Sequence, residues 1–568
     1  MTARGVALRA LRHARRLLPG AGDYRMLPRT WRGDLVAGVT VGIVALPLAL
    51  GFGVSSGVSA EAGLVTAIVA GILAAVFGGS NVQVSGPTGA MVVVLLPIVA
   101  SHGVGAVALV TILAGMIVLG AGMLRLGRAV SVIPWPVIEG FTLGIAVIIF
   151  LQQIPALTTA TPAGASEHSS NAVVAAAEAV AAADWSYVPW AVAAALVVVA
   201  CMLLAPRVHR SIPGSLVGIV VATLLVLMLP TPLAVIGALP STLPAPMLPT
   251  VNPELLGALI WPALTVAALA AIESLLSARV AASLADTGPL DADRELVGQG
   301  IASIGSGLFG GMPATGAIAR TAVNVRSGGR SRLAALTHAL VLLLIVLVAS
   351  GPVGMIPLAA LSGVLMLTAW RMVHRATVRS ILRSTRADAA AFVLTAVVTV
   401  SFDLIVAVLI GVAFAGLFAL RSLARSTGVK RESITGEVID GDERIAVVRV
   451  DGPLIFVSAD RVFDEVMSLD GVEVVVLRLS RMGQVDATGA RLLVDIVEAL
   501  ERRGVTVLVK GVQRSHEDLF RAVGVVGALR HPNHLFIDLD AAIAHARSHV
   551  RRSQRDDRQD QGPFTLKE

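Results

Sequence analysis

Apolar runs follow one another from about residue 33 to residue 425, and charged residues fall almost entirely in the gaps between them. Runs of that length have lipid as their solvent. Of the 568 residues 55% are hydrophobic and 15% charged, with a mean hydropathy of +0.81, whereas soluble chains carry about 25% charged residues. A single soluble core stops growing well before this length. The composition therefore excludes a soluble globular protein.

The one cysteine, Cys201, sits inside an apolar run, forms no disulfide within the chain, and reads as a small packing residue. A net charge of +7 does not point to nucleic acid, because of where it lies. Residues 1–32 hold eight arginines and one acid, Asp23. With no signal-peptide apolar core or cleavage site, this stretch reads as an N-terminal cytoplasmic arm resting on anionic headgroups.

Fourteen apolar segments can be placed near 35–55, 62–78, 84–100, 104–124, 136–154, 185–205, 211–230, 256–280, 297–311, 313–325, 333–350, 354–370, 388–400 and 404–421. Those at 84–100 and 313–325 are shorter than the roughly 20 residues a spanning helix needs and read as half-helices meeting near the midplane. The positive-inside rule tests the count. With the arm inside, every even-numbered segment ends at a basic stretch: Arg125 and Arg128; Arg207, His209 and Arg210; Arg279; Arg326, Arg330 and Arg332; Arg371 to Arg383; Arg421 and Arg425. The loops expected outside, 56–61, 101–103, 155–184, 231–255, 351–353 and 401–403, contain no Lys or Arg. One misassigned segment would exchange the two classes of loop from that point on. The reading is a multi-pass protein of the cell inner membrane with both termini cytoplasmic.

Pro87-Thr88-Gly89-Ala90 opens segment three, and Pro313-Ala314-Thr315-Gly316-Ala317 opens segment ten, 226 residues later. Segments one and eight start about 221 residues apart. The matching spacings divide the membrane part into two seven-segment halves, and an odd number gives them opposite topology. Proline at the start of a helix lacks an N–H that would be unpaired anyway. Glycine allows close backbone approach. Two facing helix starts then offer free N–H groups and positive dipole ends to an anion. A lone motif of this kind would be read as helix packing; the symmetric pair reads as a midplane anion site.

Few ionisable residues lie deep in apolar segments. A charge at the bilayer centre costs about 2.5–3.5 kcal/mol on insertion scales, so each must pair or serve a function. Glu273 and Ser277 are four apart on one face of segment eight, and a carboxylate with a hydroxyl can hold a proton or help coordinate Na⁺. Arg320 lies one turn beyond Gly316, where it can add positive potential for an anion or pair with Glu273. Glu139 is close to the cytoplasmic interface and carries no role. His102 and His338 have no partners at metal-ligand spacing and read as interfacial or packing residues.

Beyond about residue 430 the pattern changes. Strands are expected at 445–450, 454–458, 472–479 and 505–510, and helices at 460–469, 489–503, 514–523 and 540–549. The alternation predicts an α/β domain over 432–550, followed by a charged, polar and disordered tail, 551–568. Asp486-Ala487-Thr488-Gly489 opens a helix and reads as an N-cap, with phosphorylation of Thr488 as the second reading.

Val84-Ser85-Gly86-Pro87-Thr88-Gly89-Ala90-Met91 resembles the third-helix motif of the SulP family (solute carrier family 26 in animals). Pro134 to Thr142, Ile212 to Val217 and Pro313 to Asn324 also resemble family signatures, and the C-terminal domain is similar to STAS domains. The resemblance covers about 33–550. It implies a polytopic α-helical transport domain over 33–425, with fourteen segments as two inverted repeats arranged as core and gate. It also implies homodimerisation and an anion site between segments three and ten. Carried over by motif, the substrate-binding positions are Phe52, Thr88, Gly89, Ala317, Ile318, Ala319 and Arg320. The ion-coupling positions are Glu273, Ser277 and Thr315, and the regulatory ones Asp486 and Thr488. Leu46-Pro47-Leu48-Ala49-Leu50 looks like the bicarbonate-transporting branch, where many sulfate transporters carry Gln at the position of Leu48. That branch has Asp at the position of Glu273 and is Na⁺-coupled; Glu there looks like proton-coupled relatives. Ala317 and Ala319 replace hydroxyl residues of some relatives, which shifts anion binding toward backbone N–H groups and Arg320.

The expectation is a carrier and not an enzyme: secondary active transport of bicarbonate first, sulfate or dicarboxylate next, coupled to H⁺ or Na⁺ and regulated by the STAS domain or a cytoplasmic partner of it. No cofactor is expected beyond Na⁺ as a coupling ion, and no nucleic acid. The alternatives are a membrane sensor signalling through the STAS domain and an uncoupled anion channel. The orientation has a direct check. In a Cys201→Ala background, Val174→Cys should react with an impermeant maleimide on intact cells, and Arg383→Cys only after permeabilisation. The opposite pattern would reverse the topology.

Overall fold

The computed structural model describes residues 16–127, 134–159, 171–209, 213–249, 253–286, 288, 290–401, 404–434 and 439–560. Arg128 and Arg210, used in the charge argument, lie outside the described residues, as do 1–15 of the arm and parts of the loops at 155–184, 231–255 and 401–403. The chain divides into two compact units, residues 1–413 and 414–568.

Fourteen helices carry the apolar segments among the described residues. They are α1 (Leu27–Ser55), α2 (Ala60–Phe77), α3 (Gly89–His102), α4 (Gly105–Met123), α5 (Trp135–Leu151), α6 (Val188–Val208), α7 (Gly214–Met228), α8 (Pro253–Leu284), α9 (Ala292–Leu308), α10 (Ile318–Arg326), α11 (Arg332–Gly354), α12 (Leu358–Met372), α13 (Arg386–Ser401) and α14 (Leu404–Ser426). Of the helices, seven are long and apolar enough to cross a membrane, counting α5 together with its continuation to Thr158. Helices α3 and α10, third in each half, are short, 14 and 9 residues. Two further short helices, Ala172–Ala181 and Arg375–Leu382, lie in the connections.

Small residues set which helices meet, since a missing side chain lets backbones approach. One group joins α4 to α9 and α1 to α11. A Cβ on Gly115 of α4 would lie 2.8 Å from the Gly300 carbonyl, and one on Gly38 of α1 would lie 2.5 Å from the Ala334 carbonyl. A second group joins α5 to α13 and α6 to α7 and α12. There a Cβ on Gly140 would lie 2.4 Å from the Phe392 carbonyl, one on Gly218 2.9 Å from Val198 Cα, and one on Gly363 2.7 Å from the Ala195 carbonyl. Helices α2, α3, α8 and α10 pack with the first group. These are the core and the gate.

The two motif legs differ from the expected helices. Residues Ser85–Gly86 and Thr315–Gly316 form strands β1 and β2, and α3 and α10 begin only at Gly89 and Ile318.

In the second unit a sheet runs in the order β3-β4-β5-β7-β8, with β6 paired to β4. The strands are β3 (Gly428–Glu432), β4 (Ile445–Leu454), β5 (Val474–Arg478), β6 (Met482–Val485), β7 (Thr506–Lys510) and β8 (Leu535–Phe536). Only β3 runs antiparallel to its neighbour. Helices α15 (Ala459–Met467), α16 (Ala487–Arg502) and α17 (Arg514–Val523) follow in sequence. The apolar stripe of α16, from Leu493 to Leu500, meets Val448, Val475 and Val507 on one face of the sheet. On the opposite face α18 (Leu539–Asp560) buries Ala542, Ile543, Ala546 and Val550 against Val447, Val476 and Leu508. The segment 454–458, expected as a strand, is the turn that follows β4; β3, β6 and β8 were too short or too polar to show as alternating runs. Helix α18 continues to Asp560, where disorder was expected from 551; residues 561–568 lie outside the described residues. Its anchoring apolar residues all precede 551, so the polar extension is carried by the helix ladder and not by its own burial.

Arg547 donates from Nε and Nη2 to the two carboxylate oxygens of Asp442, each at 2.8 Å, and ties α18 to the turn before β4. The guanidinium bond holds the Asp442 carboxyl below its ordinary value of 3.8. A lowered folded value means the contribution is present above the unfolded value and is lost as pH falls through the folded one. Protection factors of the α18 amides, taken relative to intrinsic exchange at each pH, should fall as pH drops below that range. Asp442→Asn should show the faster exchange already at neutral pH; unchanged protection in that variant would remove the clamp.

Candidate functional site

The legs β1 and β2 cross as an antiparallel pair, Ser85 opposite Gly316 and Gly86 opposite Thr315. The Ala317 N–H extends the ladder to the Val84 carbonyl at 2.9 Å. Prolines 87 and 313 therefore lie in extended legs ahead of the helices. A strand of two residues has free edges, where a missing N–H costs little. Thr88 is the extended N-cap of α3, and Ala317 that of α10.

The earliest backbone bond into α10 runs from Thr321 N–H to the Ala317 carbonyl, 2.9 Å. The N–H groups of Ile318, Ala319 and Arg320 precede that ladder, whereas the Ala317 N–H is used by Val84. In α3, Met91 N–H reaches the Thr88 carbonyl at 3.2 Å, leaving Gly89 and Ala90 ahead of it. The antiparallel crossing thus brings two helix N-termini, each with leading N–H groups and a positive dipole end, to one place.

Side chains close the site. Thr88 and Thr315 donate Oγ1–H to Glu273 Oε2 at 2.8 and 2.7 Å, and their own oxygens are 3.0 Å apart. Glu273 comes from α8, so three elements meet on one carboxylate oxygen. Beside it, Ser274 Oγ accepts the Gly316 N–H at 3.1 Å. Arg320 is 2% exposed. Its Nη2 donates to the Pro87 carbonyl at 2.7 Å, and its buried Nη1 has no hydrogen-bond partner among the described residues. Glu273 spends itself on threonines and Arg320 on a carbonyl, so their direct pairing, considered from sequence, is not made. Ser277 shares a helix face with Glu273 but turns to Thr321 Oγ1 at 3.4 Å, and Thr321 in turn accepts the Val84 N–H at 3.0 Å.

A Cβ on Gly89 would lie 3.3 Å from Phe52 Cε1 and 2.1 Å from Ile149 Cδ1, so a larger residue would have to displace the Ile149 side chain between α1 and α5. Glu273 and Ile318 line a pocket with Phe141, Thr142, Ile145 and Met372. Ala319 is exposed and turns away from it. The structure thus gathers Phe52, Thr88, Gly89, Glu273, Thr315, Ile318 and Arg320 around the crossing, and sets Ala319 and Ser277 to its sides. Sequence reasoning missed Ser274, Thr321 and the Pro87 carbonyl. Ser274, adjacent to Glu273, was the one with a visible signal: a second polar residue in an apolar run.

In the second unit Asp486 caps α16, accepting the Gly489 N–H at 2.7 Å and the Phe456 N–H at 3.0 Å. Thr488 is exposed in the first turn of α16.

Fourteen helices with paired half-helix starts, followed by a separate α/β unit, define a membrane carrier of anions with a STAS domain. Residues 31–395 match the sulfate permease family and residues 438–542 the STAS domain. The chain belongs to the sulfate permease family. It is 33% identical over 503 residues to YvdB of Bacillus subtilis, whose sulfate-transporter name is provisional, covering 87% of this chain and 93% of that one. The transmembrane domain of a cyanobacterium bicarbonate transporter, BicA, superposes with a TM-score of 0.58 at 32% identity, covering 68% of this chain and 97% of that one. The murine solute carrier 26 member A9 anion transporter, in an inward-facing state, shares the fold at a TM-score of 0.79 and 18% identity, with 94% of each chain covered.

A Cβ on Gly86 would lie 2.8 Å from Arg320 Nη1 and 3.3 Å from Ala67 Cα. Gly86→Ala should displace the guanidinium and lower anion uptake by about tenfold or more, the scale of one charged hydrogen bond. Wild-type uptake in that variant would place the anion elsewhere.

Proposed function

We propose that this protein is a secondary active transporter that carries a small anion, bicarbonate first and sulfate or dicarboxylate next, between the N-termini of α3 and α10. The observation that carries the reading is the Arg320 guanidinium, buried beside two helix starts with Nη1 unspent. A buried donor left unpaired costs about 1–3 kcal/mol, more when charged. An anion arriving between the helix starts offers that donor a partner. The bicarbonate preference is supported by the likeness to BicA and by the Leu46 to Leu50 run of α1.

We infer coupling to H⁺ ahead of Na⁺. Three oxygens, from Thr88, Thr315 and Glu273, lie 2.7 to 3.0 Å apart. Two hydroxyls supply two hydrogens for three contacts. A carboxyl proton on Glu273 supplies the third and closes the ring. A sodium ion among the same oxygens would have to spread them. The protonated ring would travel with the core as the core moves against the gate. On this reading the chain works as a homodimer with both termini cytoplasmic, and the STAS domain regulates it through the exposed Thr488 at a helix start, where a phosphate is electrostatically favoured.

Proteoliposome uptake of bicarbonate, sulfate and dicarboxylate under imposed pH and Na⁺ gradients tests the reading. Uptake of one anion driven by an inward H⁺ gradient is expected. Glu273→Gln should abolish the response to that gradient, and Arg320→Gln should reduce uptake by about tenfold or more. Uptake insensitive to both gradients and unchanged in Glu273→Gln would overturn the coupling; wild-type uptake in Arg320→Gln would overturn the site.

A further inference from the structure

Three histidines of the second unit converge where α18 passes the edge strand β8. His545 and His549 are one turn apart on α18, in the spacing His-x-x-x-His, so both rings project from one face. His534 ends the short turn Pro532–His534 that leads into β8. One ligand nitrogen from each of the three lies within 4.8 Å of the other two. The Nε2 atoms of His545 and His549 are 3.3 Å apart. Two ligands about 2.0–2.1 Å from a tetrahedral Zn²⁺ are separated by nearly that distance.

His534 is 4% exposed, and its Nδ1 has no hydrogen-bond partner among the described residues. Its ring centroid is 5.5 Å from that of His545 and 5.4 Å from that of His549. Three imidazoles stacked this closely have no shared carboxylate in contact to organise them. An apolar core had cheaper residues to offer at the same places, since a buried donor or acceptor without a partner is destabilising.

We propose that His534, His545 and His549 form a binding site for a transition-metal dication of the Zn²⁺ class, with an open fourth position for water. Neutral imidazole is the ligating form. Three imidazoles suit Zn²⁺, Cu²⁺ and Ni²⁺ over Mg²⁺ and Ca²⁺, which take oxygen ligands. The ion would join the C-terminal helix to the edge of the sheet, a position from which it can set how firmly α18 is held.

The test uses the untagged full-length protein in detergent, dialysed against Zn²⁺ and, separately, Co²⁺. One Zn²⁺ per chain is expected, together with the visible absorption bands of tetrahedral Co²⁺. Affinity should fall on the order of 100-fold or more in His545→Asn and in His549→Asn, as for loss of a metal ligand, while His516→Asn, in the same domain, binds as wild type. Far-UV circular dichroism shows whether each variant is folded, and His549→Asn, at the half-exposed position, is the variant least able to disturb packing. No stoichiometric Zn²⁺ binding, or less than a threefold loss in folded His549→Asn, would overturn the site.

Discussion

Two short extended legs hold the transport domain together at its centre. Where β1 and β2 cross, each leg finds in the other the backbone partners it lacks in its own helix. Inside a bilayer an unpaired N–H or carbonyl costs several kcal/mol, and non-helical backbone survives only where protein surrounds it. The crossing satisfies that condition and nothing shorter-range would. From it follow the positions of Thr88 and Ala317 as helix caps, the approach of the two helix starts, and the close fit at Gly86 against Arg320 and Ala67.

The polar groups around the crossing are arranged so that opposite charges do not cancel. Glu273 is occupied by two hydroxyls and Arg320 by a backbone carbonyl. Had they paired, the buried charges would neutralise one another. Keeping them apart leaves Arg320 Nη1 without a partner among the described residues and Glu273 on the lining of the pocket. A buried group with an unfilled bond is a standing cost in folding.

Much of this was legible in the chain. Hydropathy placed the helices, because it follows from what each residue does in lipid or water. The Thr-Gly-Ala shared by residues 88–90 and 315–317 marked the neighbourhood of the crossing, although Thr88 caps α3 while Thr315 and Gly316 lie in β2. Glu273 and Arg320 stood out as ionisable residues in apolar runs. Less visible were β1 and β2, whose two residues each carry no alternation to detect, and the short polar strands of the second unit. The histidine cluster was hidden for a different reason. His545 and His549 show the spacing of a ligand pair, but His534 joins them only through the fold.

Residue types and their periods by themselves determined that the chain lives in lipid, how many times its helices recur, and which residues cannot be there for packing alone. These are properties of single residues against a solvent, so no neighbour is needed to read them. Tertiary structure alone decided which polar group meets which: that Glu273 binds two threonines and not Arg320, that Ser277 turns to Thr321, that the Ala317 N–H is spent on Val84. Such choices depend on angles and distances of a few ångströms between segments up to 237 residues apart, and a linear pattern holds no record of them.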